Sequence, residues 1–216
     1  MDLALNKHWP IRRLTVRTPR LELRLPTEEE LAQVAEVAAR GVHRPGLLPF
    51  LTPWTDLEPR ERARFVVQRH WSRLGSWTPH DWQLELVAFQ EGNPIGMQDV
   101  KATDFAVRRE VLSGSWLGLD HHGLGLGTEM RAAVLHLSFA ELGAESATSL
   151  SFTDNTPAIS VSHRLGYLAD GITRDVLHGT VVESQRFRLS RDTWQSREHP
   201  PVTVHGLAGC EELFGL

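Results

Sequence analysis

The sequence predicts an α/β fold: a mixed, mainly antiparallel sheet with helices on both faces. Short runs of alternating or β-branched apolar residues recur along the chain, amphipathic helical spacing interrupts them, and several successive runs are joined by turns tight enough for hairpins. The chain has 216 residues, 41% of them hydrophobic and 23% charged. That suits one domain with its own core and excludes a disordered or fibrous chain.

Residues 12–17 and 20–25 read as strands on either side of a Thr18-Pro19 break. Thr27 is then an N-cap with acidic residues in the first turn, opening a helix that runs to about Gly41. Leu31, Val34, Ala35 and Ala38 share one face of it. An irregular stretch, 42–57, with three prolines precedes a second helix, 58–74, along which Arg60, Arg62, Arg64, Arg69 and Arg73 are spread. Three strands follow at 82–90, 94–103 and 109–119, the first two joined at Gly92-Asn93. A long helix is expected over 125–142, a strand over 146–152, a short helix over 156–165, and a closing hairpin, 167–177 and 180–189, across His178-Gly179. The domain is expected to occupy 1–196, leaving 197–216, which has no clear period, as a C-terminal tail.

Composition removes several function classes. The net charge of -4 gives no general electrostatic reason to bind nucleic acid. The single cysteine, Cys210, excludes a disulfide framework and a cysteine-based zinc site. No apolar run reaches the length of a membrane span, and the start lacks the apolar stretch of a signal peptide. No membrane association and a cytoplasmic location are the expectations.

The most informative stretch is Trp116-Leu117-Gly118-Leu119-Asp120-His121-His122-Gly123-Leu124-Gly125-Leu126-Gly127-Thr128. A strand ends, glycines alternate, and a helix begins. Backbone N–H groups at a helix start lack partners and attract anions, and glycine lets the backbone approach a ligand closely. The stretch therefore reads as a phosphate or pyrophosphate cradle, or else as an ordinary strand-to-helix turn. Gly127-Thr128-Glu129 is not the Gly-Lys-Ser/Thr of a P-loop, and the third glycine falls one residue too soon for the dinucleotide fingerprint. His121-His122 has no third ligand at a metal-like spacing, so no metal is expected.

His122-Gly123-Leu124-Gly125-Leu126-Gly127 resembles the Gln/Arg-x-x-Gly-x-Gly/Ala pyrophosphate loop of the GNAT N-acetyltransferases. Asn155 to Tyr167, with Gly166, is similar to their downstream helix, and Thr18-Pro19-Arg20-Leu21-Glu22-Leu23 to the opening of the RimJ/RimL-type branch. Together these motifs span about residues 18–190. His8-Trp9-Pro10, Pro53-Trp54-Thr55, Ser113 to Leu119 and Gly127 to Leu135 are also similar to an actinobacterial subgroup that includes a succinyl-CoA-dependent acyltransferase.

The resemblance implies a GNAT-type sheet whose central strand pair, here 109–119 and 146–152, splays apart to admit an acyl-CoA thioester. The implied activity is transfer of an acetyl or succinyl group from acetyl-CoA or succinyl-CoA to a primary amine on a protein or small molecule. Transfer would run by direct attack through a tetrahedral intermediate. On this likeness His122, Gly123, Leu124, Gly125, Leu126, Gly127 and Thr128 hold the pyrophosphate, Trp116, Leu117 and Leu119 bond the pantetheine arm, and Asn155 bonds a pantetheine amide. A backbone N–H near Trp116 or Leu117 polarises the thioester carbonyl. Ser162 stands where many members carry a Tyr that protonates the departing thiolate. His122 replaces the usual Gln or Arg.

The base is not singled out. Asp81, Glu85, Asp99 and His80 are the candidates, with a water chain as another route. A succinyl donor would need a cation, available from Arg44, Lys101, Arg108 or the arginines of 58–74. Phe50, Trp54, Trp71, Trp77 and Trp82 would pack in the helical part, line the acceptor entrance, or form a homo-oligomer contact. A non-catalytic acyl-CoA-binding module is the rival reading.

Overall fold

The computed structural model describes residues 3–216. A short helix α1 (Leu3–His8) leads into strands β1 (Thr15–Arg17) and β2 (Glu22–Arg24). Helices α2 (Glu28–Arg40) and α3 (Pro59–Gly75) precede β3 (Asp81–Gln90) and β4 (Asn93–Thr103). After α4 (Phe105–Arg108) come β5 (Glu110–Leu117), α5 (Leu126–His136), β6 (Ser146–Phe152) and α6 (Thr156–Arg164). The hairpin β7 (Leu168–Leu177) and β8 (Thr180–Ser190), α7 (Arg191–Gln195) and β9 (Thr203–His205) complete the order.

Among the described residues, nine strands form one sheet in the order β7-β8-β6-β5-β4-β3-β2-β1-β9. Every neighbouring pair is antiparallel except β5 and β6. The mixed α/β, mainly antiparallel architecture is thus as the sequence predicts. Strand β3 explains why both faces are covered: nearly all of Trp82–Phe89 is buried, and a strand buried on both sides needs packing on both sides. Trp82, Leu84, Leu86 and Ala88 join the main core with Leu126, Met130, Val134 and Leu135 of α5. Val87 and Phe89 turn the other way, into a second cluster with Leu31, Val34 and Ala38 of α2 and Val66 of α3.

Helix α2 starts as its sequence demands. Thr27 accepts from Glu30 N–H at 3.2 Å, and the Glu30 carboxylate accepts from Thr27 N–H at 2.8 Å, a complete capping box. Arg24 grips the same carboxylate through both terminal nitrogens, at 2.6 and 2.7 Å. The helix expected over 125–142 keeps its α form to His136 and then widens over Leu137–Glu141, where Leu142 N–H donates to Leu137 C=O.

Residues 197–216, which the sequence sets apart as a tail, lie on the sheet. Strand β9 extends it by pairing with β1, Val16 opposite Val204. Cys210 and Phe214 are fully buried, Phe214 meeting Trp82 edge-on at 4.9 Å, and Trp77 Nε1 donates to Leu213 C=O at 2.7 Å. A three-residue strand has too few positions to show a period.

Candidate active site

Strands β5 and β6 are hydrogen-bonded partners only at Glu110↔Ser146, Val111↔Ala147 and Leu112↔Thr148. Beyond Leu112 they part, leaving the edges of Ser113–Leu117 and Ser149–Phe152 facing a V-shaped opening. The splayed pair expected for the fold is therefore present. A cavity of about 350 Å³ opens on the α2/α3 side and reaches Arg131, Ser149, Ser151 and Asn155 along the gap.

Its floor comes from polar positions of an otherwise apolar face. On β3, Gln83 and Glu85 precede Val87; on β4, Met97 is followed by Asp99 and Lys101. Glu85 and Asp99 are directly opposite each other in the ladder. Two carboxylates so placed cannot both stay ionised at ordinary pKa values. Glu85 keeps its charge. Burial raises its pKa, but the donors and positive charge of His70 and Arg69 outweigh that and hold it below the usual range. Arg69 Nε donates at 2.8 Å, and His70 Nδ1 stands 3.9 Å away.

Asp99 goes the opposite way. Burial first, and then the charge of Glu85, push it up to about 6, against partial relief from Arg69, Lys101 and Arg73. Its Oδ2 accepts from Gln83 Nε2 at 2.8 Å. Its Oδ1 overlies Gly114, where a Cβ would sit only 2.7 Å away. Gly114 is thus the residue type that lets a carboxylate lie on β5 two residues past the last ladder pair. Of the other base candidates, Asp81 lines an adjoining groove, and His80 is 88% exposed beside Asp104.

The glycine loop connects β5 to α5. Gly123 and Gly125 have φ of 77° and 78°, a region open to glycine at little cost. Among the described residues, none of the six N–H groups from Gly123 to Thr128 has a hydrogen-bond partner. That row of free donors at a helix start is what an anionic diphosphate needs. His122 Nε2 donates to Leu117 C=O at 3.1 Å, so this ring closes the loop onto the strand. Leu119 N–H is held by Gly41 C=O at 3.1 Å, which leaves Trp116 and Leu117 nearer the open edge.

Sequence reasoning missed what braces this loop. Thr18 Oγ1 donates to Glu129 Oε1 at 2.6 Å, Arg20 Nε to Glu129 Oε2 at 2.6 Å, and Arg20 Nη1 to Leu124 C=O at 3.0 Å. The Thr18-Pro19-Arg20 motif was in view, but a contact across more than a hundred residues leaves no local pattern. Because Arg20 holds the loop carbonyl and the pair is partly exposed, Arg20→Met is expected to weaken CoA binding about tenfold by isothermal titration. An unchanged Kd would remove Arg20 from the bracing role.

On the far wall, Asn155 caps α6, accepting from Ala158 N–H at 3.3 Å, and its Nδ2 makes no hydrogen bond among the described residues. Ser162, 1% exposed, donates to Ala158 C=O at 3.2 Å and accepts from Arg131 Nη1 at 3.0 Å. Over the cavity, Trp54 stacks on Phe65 at 5.6 Å and tilts against Trp116 at 5.7 Å, with Phe50 beside it. Trp77 and Trp82 are in the core, and Trp71 is exposed. Arg69, Arg73 and Lys101 reach the cavity; Arg108 reaches the adjoining groove; Arg44 reaches neither.

Residues 20–168 match the family model described as an acetyltransferase (GNAT) domain, and the chain belongs to that family. Solved structures with the same fold include the ribosomal-protein α-N-acetyltransferase RimL in complex with coenzyme A. It is 14% identical with a TM-score of 0.60, over 82% of this chain and 97% of that one. RimJ of Mycobacterium smegmatis, in complex with CoA-disulfide, is 13% identical with a TM-score of 0.63, over 85% and 90%. A chimera of the spermidine N-acetyltransferase SpeG from Vibrio cholerae is 14% identical with a TM-score of 0.64, over 82% and 99%. At such identities the likeness is one of fold. Among the described residues no helix is long and apolar enough to cross a membrane.

Proposed function

We propose that the protein is a CoA-dependent N-acyltransferase acting on a primary amine, with Asp99 as the general base. The observation that carries this reading is the Asp99 carboxylate lying over Gly114 where β5 and β6 part, inside the cavity that reaches the gap. Acyl-CoA supplies the activated acyl carbon; the chain's residues bind, orient and move the proton. The N–H row from Gly123 to Thr128 would hold the pyrophosphate, the Trp116–Leu117 edge and Asn155 the pantetheine amides, and an N–H of that edge the thioester carbonyl. Asp99, ionised above about pH 6, would take the proton from the attacking amine.

The donor question turns on charge. Arg73 and Lys101 line the cavity and, among the described residues, neither forms an ion pair, Asp99 being the carboxylate whose field they share; this positive charge favours an acyl group ending in a carboxylate. Succinyl-CoA, as in the actinobacterial subgroup of similar sequence, is therefore the proposed donor, with acetyl-CoA also accepted.

A thermal-shift panel of CoA, acetyl-CoA, succinyl-CoA, ATP and NAD tests both points. Saturating ligand adds about 2.7 kcal/mol at 100 times its Kd. Only the CoA compounds are expected to raise the melting temperature, succinyl-CoA most. Substituting Arg73 and Lys101 by Met is expected to remove the succinyl advantage and spare acetyl transfer. Equal loss of both would remove this account of the donor; no shift with any CoA compound would remove the function.

A further inference from the structure

Arg131 is the unusual residue of α5. Its neighbours Met130, Ala132, Ala133, Val134 and Leu135 are buried apolar groups, yet Arg131 is itself only 6% exposed. Among the described residues it forms no ion pair, and its Nε has no hydrogen-bond partner. Nη1 donates to Ser162 Oγ at 3.0 Å and to Ser149 Oγ at 3.4 Å. Tyr167 and Asp99 are the other ionisable groups whose fields reach it, and Tyr167, held neutral by burial, contributes no charge at neutral pH. Asp99 acts on it only at a distance, and a buried guanidinium with no anion in contact is costly and calls for one. The side chain borders the cavity on the β6 side of the splayed strands, beside Ser149.

Resting on the acyltransferase reading, we propose that Arg131 carries the negative charge of the departing CoA sulfur, and that Ser162 holds its guanidinium in place. In the transfer, the amine nitrogen bonds to the acyl carbon and the C–S bond breaks with its electron pair staying on sulfur. The proton shed by nitrogen goes to Asp99. Sulfur therefore leaves as a thiolate. It needs no proton at that moment, because a thiol with an ordinary pKa near 8.5, although mostly protonated at neutral pH, lies only about 1.5 units above it, and a fixed cation beside the sulfur lowers the pKa by about that much.

Ser162 is poorly arranged to be the proton donor. Its hydrogen is directed to Ala158 C=O, and its lone pair receives Arg131. Where other members of the family use a phenol that loses a proton, this chain would use a guanidinium that keeps its own. Arg131 is then the catalytic residue and Ser162 a positioning residue.

The test reads the sulfur directly. Thiolate ultraviolet absorbance of CoA bound to the protein is titrated against pH, with desulfo-CoA as the blank. In the native protein the bound thiol is expected to ionise about 1–2 pH units below free CoA. Arg131→Lys should keep most of that shift, Ser162→Ala only part, and Arg131→Met none, while desulfo-CoA affinity stays the same in all four proteins. In parallel, kcat for acetyl transfer should fall about 10²–10³-fold in Arg131→Met with KM little changed.

A bound thiol that ionises like free CoA in the native protein overturns the proposal, even if Arg131→Met does not fold. So does a loss of desulfo-CoA affinity equal to that for CoA, or a variant impaired with succinyl-CoA alone, which would assign Arg131 to the acyl carboxylate. If the native protein binds neither CoA nor desulfo-CoA, the acyltransferase reading falls and takes this proposal with it.

Discussion

Asp99→Asn is expected to lower kcat about 10²–10⁴-fold while making the protein more stable at neutral pH. Both effects come from one cause. Burial and the opposing Glu85 disfavour the ionised carboxylate, raising the folded-state pKa from 3.8 to about 6. The folded state thus holds its proton more tightly than the unfolded chain. The resulting stability is complete below about pH 4 and is lost as pH rises through about 6, so at pH 7 the native carboxylate costs about 2–3 kcal/mol. Asparagine removes that cost and can still accept from Gln83. Activity has the opposite dependence: protonated Asp99 cannot take a proton, so kcat/KM should fall about tenfold per unit below pH 6. Melting curves and pH–rate profiles of the two proteins check this. A variant with native kcat, or one that melts lower at pH 7 but equally at pH 4, would rule out Asp99 as the strained base.

Gly96→Ala should give the largest loss of stability of any single methyl addition in the donor half of the site. A Cβ there would fall against Trp116 C=O and within 2.8 Å of Leu117 Cα, backbone that cannot swing aside. Overpacking of this kind costs about 1–3 kcal/mol, about 2–4 °C in melting temperature per kcal/mol for a chain of this size. Strand β5 must move away from β4, and the moving residues are the Trp116–Leu117 edge. The variant should therefore also lose CoA affinity at temperatures where it is fully folded. Gly92→Ala, at a turn with nothing within 4 Å, tests the cost of positive φ alone and should leave CoA affinity intact. Native CoA affinity in folded Gly96→Ala would show that the strand edge has no part in holding CoA.

What the sequence made legible follows from distance along the chain. The capped start of α2, the glycine hairpins and the strand–loop–helix at Gly123–Thr128 are written in neighbouring residues, and the structure has them where the spacing predicts, save that the first hairpin turns one residue earlier, at Glu91-Gly92, with Asn93 already in β4. Asp99, the proposed base, is one name among four in the sequence, because what singles it out is Glu85 lying opposite it and the bare backbone of Gly114 beneath. Arg131 passed unnoticed because its position in an amphipathic helix looks like any arginine until Ser149 and Ser162 are packed around it. The brace between Arg20 and Glu129 was hidden in the same way. Leu119, expected at the pantetheine edge, has its amide occupied by Gly41, a residue the irregular stretch gave no reason to place there.

The pairing of β1 with β9 bears on how the molecule comes into being. β1 lies between β2 and β9, so one side of an early strand is completed only by residues made long after it. Until then Trp77 and Trp82 lack the Phe214 ring that packs on them, and an apolar seam is open to wrong partners. The growing chain therefore has reason to meet a chaperone before it meets its substrate, and a fusion that restrains residues 203–216 would hold it in that vulnerable state.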